Sequence, residues 1–552
     1  MHVHNFYMKK IFLVIVFTSY SFAALFSQKL PVIKSTQFKK DSSSIVKFGA
    51  LADGLTLNTK SINAAIDACS KKGGGVVVVP PGLWLTGPIV LKSNVNLCVQ
   101  RNAVLLFTAD LDQYELIETN WEGVPAVRNQ SPLSATNATK IAITGNGIID
   151  GNGDAWRAVK KDKLSESAWK KLLTRGGIVS DDKKIWYPTG SSFNGSKVTK
   201  AGVIADGKGL EAFKDIKDFL RPNLLVFTKC DRVLLEGVTF QNSPAWCLHP
   251  LMSSNITVKG VFVKNPWYAQ NGDGIDIESC RNVLIENSTF DVGDDGLCIK
   301  SGRDEEGRKR AMPTQDVIIR NCTVYNAHGG FVIGSEMSGG AKNIFVSNCT
   351  FVGSDIGLRF KTTRGRGGIV ENIYINNIVM KSIPGEAILF DMYYAAQDPI
   401  ALAGEKREAP KVEFKPVSEA TPQFKNIYIS NVVCDGAEKA IFIRGLPEMN
   451  IHNIELKNIT IIAKKGMECS EAKNITLTNV KLITDSSSEP VIDIVNSSNI
   501  GFTNFSTKDK PALMIRMGGD RTNTIEWIKS PLLSASQSAT EFGAPENSLQ
   551  IK

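Results

Sequence analysis

Residues 282–287, Asn-Val-Leu-Ile-Glu-Asn, carry the pattern that decides the fold: an asparagine, two apolar residues at alternate positions, and a second asparagine. The same phrase returns, with Asp316 in the first slot of one copy, at 316–321, 343–348, 372–377, 426–431, 453–458, 474–479 and 499–504. Apolar residues at every second position predict strands with one buried face. Asparagine tolerates left-handed backbone, so it suits the tight turns that end such strands.

Most copies follow one another after 21–34 residues, and the one interval of 54 residues, between Asn372 and Asn426, is interpreted as two coils. Second apolar strands lie between the copies, at 274–277, 296–299, 330–333, 357–360, 387–390, 440–443 and 491–494. Short strands at this period, without helices between them, predict an all-β fold, a right-handed parallel β-helix whose stacked coils share one continuous core. Helical spacing of apolar residues at 59–72 predicts a short N-terminal capping helix.

The composition divides the chain of 552 residues into three parts. Residues 1–27 have the pattern of a secretory signal peptide, in which two lysines precede a short apolar run and small residues follow. Residues 28–530 form the predicted β-helix domain, with a polar insertion at 152–222 expected to flank a groove, and 531–552 form a polar C-terminal tail. We therefore expect an exported monomer, periplasmic or extracellular, without a membrane anchor.

Charge and cysteine content narrow the function classes. The net charge is +9, and it falls to +7 without residues 1–27, which contain two lysines and no acidic residue. This excess suits a polyanionic partner, although general solubility explains it equally well; no nucleic-acid partner is expected. Cys322 and Cys349 occupy the same repeat slot, which favours stacked buried thiols over disulfides. No cysteine and histidine spacing resembles a zinc site, so no metal is expected.

Three carboxylates lie at the beginnings of two neighbouring second strands, Asp273 in NGDGIDI (271–277) and Asp294 with Asp295 in GDDGLCI (293–299). On successive coils, Asp273 and Asp295 share one column and Asp294 lies one residue to the side. Strands about 4.8 Å apart bring the three together, and their repulsion raises at least one pKa. Acid/base hydrolysis of a glycosidic bond needs such a set. Taken alone, however, GDDG is also ordinary turn chemistry.

The next two coils add His328, Arg359 and Lys361 to this patch when the strands are aligned on their glycines. Four coils then span on the order of 15 Å along the sheet. Arginine and lysine beside the carboxylates suit an anionic sugar carboxylate. Singly, a solvated strand face would explain Arg359 and Lys361, and a turn would explain His328. The alignment of six polar side chains favours a functional site.

The ordered motifs NGD (271–273), GDD (293–295), HGG (328–330) and RFK (359–361) resemble the four signatures of glycoside hydrolase family twenty-eight, the polygalacturonases. The resemblance covers nearly the whole exported chain, including FGALADGLTLNT (48–59) and GGGVVVVPPG (73–82). It implies hydrolysis of α-1,4-galacturonosyl linkages in polygalacturonate or pectin, with inversion and without a cofactor. The roles it implies are proton donation by Asp294, water activation by Asp273 and Asp295, binding of the galacturonate carboxylate by Arg359 and Lys361, and support by Asn271 and His328.

Three departures and one further likeness refine this expectation. The stretch AHGGFVIGS (327–335), around His328, holds one residue more than the family's commoner pattern. Gly272 stands where the family has threonine, which we expect to be harmless, and Phe360 replaces isoleucine and is expected to point inward. The stretch KSGRDEEGRKR (300–310) resembles bacterial exo-acting members, in which loops close one end of the groove. Its Lys300 and Arg303 are expected to bind substrate.

Three alternatives stay open. One is a hydrolase of rhamnogalacturonan or another decorated pectin, since the sugars next to the cleaved bond are not determined. Another is a pectate lyase, which needs a Ca²⁺ site that an acidic cluster can supply, although the order of the four motifs disfavours it. The third is a non-catalytic carbohydrate-binding solenoid, which would leave the aligned carboxylates without a purpose.

Overall fold

The computed structural model describes residues 30–204, 209–394, 411–485 and 490–552. The predicted signal peptide, 1–27, lies outside these residues. Parallel strands stack in three ladders, one for each side of the coil, and form the predicted right-handed parallel β-helix. The first ladder contains the strands Ser42–Ser44, Gly75–Val79, Val95–Val99, Thr139–Gly145, Asp231–Glu236, Ser254–Lys259, Arg281–Glu286, Thr314–Arg320, Ala341–Val352, Ile369–Asp391, Gln423–Arg444, Ile451–Ser470, Ala472–Thr484, Ser498–Thr503, Asn523–Ile528 and Leu549–Ile551.

Five of these strands, those that begin between residues 341 and 472, continue around the bends into the other ladders. The remaining strands of the second ladder are Gly82–Thr86, Ala103–Phe107, Ile148–Asp150, Thr239–Gln241, Phe262–Lys264, Thr289–Asp291, Thr323–Tyr325 and Ser506–Thr507. Those of the third ladder are Ile89–Val90, Leu133–Thr136, Leu225–Thr228, Leu248–Leu251, Ile275–Glu278, Asp295–Lys300, Gly329–Ile333, Leu358–Lys361, Ile492–Val495, Ile515–Gly518 and Ser538–Glu541.

The asparagines of the repeat hold the corners of the coil, as their position predicted. Asn282 and Asn287 have φ values of 57° and 53°, in the left-handed region, and the other copies behave alike. Their side chains also bond from coil to coil: Asn321 donates to Asn287 at 3.1 Å, and Asn348 donates to Asn321 at 3.3 Å. These asparagines therefore fix the bends, and most of them also tie a bend to that of the preceding coil.

The interval of 54 residues is one coil, so its interpretation as two coils is wrong. Ile373 pairs directly with Ile427, and Phe390 with Ile443, so the two strands are immediate neighbours. The first strand ends at Asp391 and the next begins at Gln423, so the additional residues lie between them in the sequence. The two strands nevertheless pair directly, which sequence spacing alone does not reveal.

Apolar side chains from all three ladders fill the interior. Phe360 points inward as expected, stacking on Phe390 at 4.3 Å between ring centroids. All ten cysteines are free thiols, and Cys322 and Cys349 are buried in the same column of the core. The predicted capping helix runs from Thr59 to Lys71 and buries Ile62 and its neighbours against the first coil.

The C-terminal segment differs from the tail that the composition indicated. Strands Ser538–Glu541 and Leu549–Ile551 extend the third and first ladders past residue 530. These strands are short and their outward side chains are polar, so the sequence does not show the repeat pattern here. Among the described residues, no helix is both long and apolar enough to cross a membrane.

Among the described residues, a hairpin and an insertion leave the coils, in addition to the short helix Asp304–Arg310. Leu116–Trp121 and Val124–Asn129 form an antiparallel hairpin. The insertion at 152–222 contains a small antiparallel sheet of Val159–Lys160, Ile178–Val179 and Ile185–Tyr187. The remaining helices and 3₁₀ turns are Glu166–Leu173, Gly190–Ser196, Asp304–Arg310, Ile45–Phe48, Leu111–Gln113, Gly153–Ala155, Lys161–Lys163, Leu210–Phe219, Ala535–Gln537 and Glu546–Ser548.

Candidate active site

The register of the third ladder brings the predicted side chains together. Ile275 pairs with Leu297, Asp295 with Gly329, and Val332 with Arg359. This is the alignment that the glycines predicted, and it places Asp273 beside Asp295 on neighbouring coils. One oxygen from each of Asp273, Asp294 and Asp295 lies within 4.8 Å of the others.

Asp294 is the most accessible of the three carboxylates. Its side chain keeps 22% of its surface exposed, whereas Asp273 and Asp295 are buried. The imidazole Nδ1 of His328 lies 3.2 Å from Asp294 Oδ1, and the backbone N–H of Asn271 donates to Oδ2 at 3.3 Å. The hydrogen bond to Asp294 raises the pKa of His328, which burial opposes. Asp294 is therefore oriented from two sides and faces outward.

Asp295 is held as a carboxylate by two cations. The ammonium of Lys361 lies 2.7 Å from Oδ2, and Nη1 of Arg359 lies 3.5 Å from Oδ1. Burial by itself raises the pKa of Asp295, but the attraction of Lys361, Arg359 and Lys300 outweighs it and lowers the pKa to about 2. Asp295 is therefore charged throughout the range in which proteins usually work.

Asp273 behaves in the opposite way. Burial, followed by repulsion from Asp294 and Asp276, raises its pKa well above the ordinary value. Its Oδ1 atom is buried and makes no hydrogen bond within the described part of the chain. The cluster thus contains a charged buried carboxylate, Asp295, and a buried carboxyl whose pKa is shifted in the opposite direction, Asp273. The predicted rise of at least one pKa is found on Asp273.

Asn271 occupies the turn before Asp273, where its φ of 54° is one that asparagine tolerates better than most residues. Its side-chain oxygen accepts a hydrogen bond from Arg221 at 3.0 Å. Arg221 also donates to the carbonyls of Pro244 and Gln270, so it fastens the end of the 152–222 insertion to the rim of the site. The insertion therefore borders the coil that carries Asp273.

Gly272 is required by packing rather than merely tolerated. A Cβ atom there would lie 2.8 Å from the Cβ and 2.9 Å from the carbonyl oxygen of Ala269. The loop at 266–270 has closed onto the position where the family has a threonine side chain. The substitution is thus part of the local packing of this turn.

Lys300 lies beneath the site, which differs from the substrate contact predicted for it. Its ammonium is buried, 3.0 Å from Glu336 and 3.6 Å from Asp276. The positive charge of Lys300 is therefore paired with carboxylates of the protein itself, beneath the carboxylate cluster. Arg303 is different: its side chain is 36% exposed and its Nη1 lies 3.2 Å from Glu122.

A strap crosses the outer face of the third ladder next to these residues. It consists of the hairpin tip, 121–124, and the segment 302–310. The carbonyl of Gly123 accepts hydrogen bonds from the Arg303 N–H and from Arg310, both at 3.4 Å. Arg310 in turn lies 2.6 Å from the buried Glu278. The strap is thereby fixed to the sheet on one side of the carboxylate cluster.

Three aromatic residues beside the site were not predicted. Trp246 occupies the same column as Asp273, one coil earlier, and its ring stacks on Trp121 of the hairpin with centroids 5.7 Å apart. The repeat register identifies Trp246 from sequence, but Trp121 lies outside the repeat. On the other side, Tyr394 lies against Arg359 and Lys361, at 5.7 and 5.1 Å.

In the part of the chain that the structure describes, the same three aspartates are the one group of carboxylate, histidine or cysteine side chains close enough to hold a cation. Lys361 and Arg359 already neutralise Asp295, however, and His328 contacts Asp294. Competing positive groups at two of the three carboxylates weaken the case for a resident cation.

Comparisons with known proteins agree on one family. The family described as glycosyl hydrolases family 28 matches residues 173–436. A "Probable polygalacturonase" of Vitis vinifera is 30% identical over 450 residues, which cover 79% of this chain and 78% of that protein. An "Exo-poly-alpha-D-galacturonosidase" of Dickeya chrysanthemi is 26% identical over 462 residues, covering 79% and 71%.

A solved structure resembles the chain equally well. The hyperthermoactive exopolygalacturonase from Thermotoga maritima superposes with a TM-score of 0.64 at 28% identity, covering 86% of this chain and 93% of that one. Fold, register and relatives are thus consistent, and the chain belongs to the glycosyl hydrolases of family 28.

Proposed function

We propose that this enzyme hydrolyses α-1,4-galacturonosyl linkages of galacturonan, releasing sugar from a chain end with inversion at the anomeric carbon. The observation that carries the proposal is the combination of an outward-facing Asp294, a charged Asp295 and two cations on one strand two coils further along. This set provides an acid, a base and a receptor for an anionic sugar within one patch.

Asp294 is the proton donor in this proposal. Its exposed carboxyl reaches the cleft, and the contacts from His328 and Asn271 orient it toward the glycosidic oxygen. As the C1–O bond breaks, Asp294 gives its proton to the departing oxygen. Water attacks C1 from the opposite face and loses its proton to Asp295, while Asp273 holds that water next to Asp295.

Arg359 and Lys361 select an acidic sugar at the cleaved bond. Nη1 of Arg359 contacts Asp295 at 3.5 Å and donates to the carbonyl of His328 at 3.3 Å. None of its hydrogen bonds to described residues uses Nη2, so this nitrogen is the donor left for a substrate carboxylate. A guanidinium binds a carboxylate through two parallel hydrogen bonds. Tyr394 adds an aromatic wall beside both cations.

The strap supports action from a chain end. Where Gly123 docks on Arg303, the outer face of the third ladder is covered next to the carboxylates. A polymer bound across the cluster would have to end there. Exposed Arg303 at this end is placed to meet a terminal sugar.

Inversion is proposed from the resemblance of the motifs, although the aspartates lie closer together than the carboxyl groups of inverting enzymes usually do. Inverting pairs of carboxyl groups are typically about 6.5–9.5 Å apart, whereas the nearest oxygens of the three aspartates lie within 4.8 Å. Proton NMR of the first product formed decides the point. Initial release of the β-anomer from an α-linked substrate supports inversion, and initial release of the α-anomer contradicts it.

A digestion of polygalacturonate with EDTA present tests the reaction itself. Saturated monogalacturonate or digalacturonate from the first minutes supports exo-hydrolysis, and an early ladder of oligomers indicates endo action instead. An unsaturated product that disappears with EDTA indicates a Ca²⁺-dependent lyase, in which the three converging aspartates would hold the cation. Cleavage of rhamnogalacturonan but not polygalacturonate would assign a decorated pectin. The proposed substrate is a polymer outside the cell. We therefore also propose that the protein is exported and acts as a periplasmic or extracellular monomer.

A further inference from the structure

A cavity of about 900 Å³ lies on the outer face of the third ladder, on the far side of the strap from the carboxylate cluster. Strands Leu133–Thr136, Leu225–Thr228 and Leu248–Leu251 form its floor, and the hairpin and the helix Asp304–Arg310 form its walls. None of Asp273, Asp294 and Asp295 lines it. The volume is in the usual range for ligand sites, about 300–1,000 Å³.

The lining is rich in uncharged hydrogen-bonding groups. Outward positions of two adjacent strands are in register here: Thr136 pairs with Thr228, and Ser134 with Val226. Gln130 and Asn137 add amides, which both donate and accept hydrogen bonds. Between these groups lie apolar side chains. Such an alternation of hydroxyls, amides and apolar patches fits the hydroxyl groups and the C–H faces of sugar rings.

The charged groups at the rim disfavour an acidic ligand. Arg310 is engaged by Glu278 at 2.6 Å, and Lys309 by Glu305 at 2.9 Å. Within the described residues, the remaining charged side chains of the lining form no ion pair, and they are Glu115, Glu118, Glu306 and Lys229. Three carboxylates against one ammonium give a negative excess, which repels a polyanion.

These acidic groups do not form a chelating site either. Among the described residues, the group of three acidic or metal-binding side chains that converges is the aspartate cluster, and Glu115, Glu118 and Glu306 are not part of it. The carboxylates are thus spread around the rim, where they exclude anions and accept hydrogen bonds from hydroxyl groups.

We propose that this cavity binds a segment of uncharged oligosaccharide, separately from the site that cleaves galacturonan. The strap divides the outer face of one sheet into two compartments of opposite character. One contains Arg359 and Lys361 and suits an acidic sugar, and the other, lined by Ser134, Thr136 and Thr228, suits a neutral one. A neutral chain held there keeps the enzyme on material that contains both kinds of sugar.

Saturation-transfer NMR and calorimetry on the full chain test this proposal, with galactotetraose, arabinotetraose and xylotetraose as probes. At least one neutral tetrasaccharide is expected to bind with a Kd below about 1 mM. Thr228→Trp fills the cavity and should weaken that binding at least tenfold, while kcat/KM on polygalacturonate stays within twofold. Thr476→Trp, at an exposed strand position of the first ladder, is the matched control and should bind like the wild type.

Gln130→Ala, which removes an amide without filling space, provides a second variant should Thr228→Trp fold poorly, and threefold or greater weakening is expected. The proposal is overturned if no neutral probe binds below 10 mM, or if binding survives both variants unchanged. It is also overturned if trigalacturonate competes with the neutral probe for the same position. If the wild-type protein did not cleave polygalacturonate, the proposed function would be refuted. The binding of a neutral oligosaccharide in this cavity would not be affected by that outcome.

Discussion

The ammonium of Lys361 lies 2.7 Å from the carboxylate of Asp295, and both groups are buried. Buried pairs depend on one another, because removal of one partner leaves an uncompensated charge that costs about 3–5 kcal/mol. Arg359, 3.5 Å away, compensates only in part. This pair therefore links the stability of the third ladder to its chemistry.

Lys361→Met should raise the pKa of Asp295 and lower the free energy of unfolding at pH 7 by about 3 kcal/mol. The folded pKa of about 2 is below the ordinary value, so the pair contributes stability above about pH 4 and loses it as pH falls from 4 to 2. The variant should accordingly lose less stability at pH 3 than at pH 7. Urea unfolding at the two pH values measures this.

A double-mutant cycle gives the control for this pair. Lys361→Met combined with Asp295→Asn should be more stable than the sum of the single changes, since no charge is left unpaired. Strict additivity would show that the 2.7 Å contact contributes nothing to stability.

Asp294→Asn should reduce kcat on polygalacturonate by about a thousandfold, because an amide cannot supply the proton that the departing oxygen needs. The side chain is partly exposed and an amide keeps its size, so the melting temperature should stay within a few degrees. Asp435→Asn, at an exposed position paired with Lys381, is the matched control and should retain full activity. An active Asp294→Asn enzyme would transfer the role of acid to Asp273, the carboxyl of the cluster whose pKa burial raises.

His328→Gln should lower kcat/KM roughly tenfold, the effect of losing one charge-assisted hydrogen bond of about 1.5 kcal/mol. The contact with Asp294 raises the pKa of His328 above 6.5, so the imidazolium form is present below that pH and disappears as pH rises through the raised value. The wild-type profile should therefore fall on its alkaline side, and the variant should lack that limb. Rates measured from pH 4 to 9 decide this. An unchanged alkaline limb in the variant would remove His328 from the reaction.

Asp276 is a buried carboxyl of which neither oxygen makes a hydrogen bond to a described residue. Burial raises its pKa to about 8, against the attraction of Lys300. A raised folded pKa means that this group costs stability increasingly as pH rises from about 4 to 8. Asp276→Asn should thus stabilise the protein more at pH 9 than at pH 5, as thermal unfolding at both values will show. Equal effects at both values would mean that Asp276 ionises normally.

The fold and the core of this site could be predicted because both follow from one repeated pattern. Asn282 and its equivalents fix the bends and therefore the alignment of successive coils. Because neighbouring strands in every sheet have the same spacing, this alignment predicts that Asp273 and Asp295 lie side by side in one column. The use of Lys300 could not be predicted, since its partner Glu336 is 36 residues away on a bend outside the repeat. The hairpin tip is more distant still: Glu122 meets Arg303 across 181 residues.

The strap offers the most direct test of how the groove is closed. Gly123 has a φ of 83°, and a Cβ there would lie 2.4 Å from the backbone nitrogen of Arg303. Gly123→Val is therefore both strained and obstructed, and it should lift the hairpin tip away from 302–303. With that end open, a polymer can extend past the carboxylates, so early products should shift from monomer and dimer toward longer oligomers. Gly176→Val, in the insertion, has a similar φ of 81° with nothing within 4 Å of the added carbon, and it controls for backbone strain alone. Chromatography of products at less than about 5% conversion compares the variants; a purely exo pattern in Gly123→Val, with activity retained, would show that the strap does not set the mode of attack.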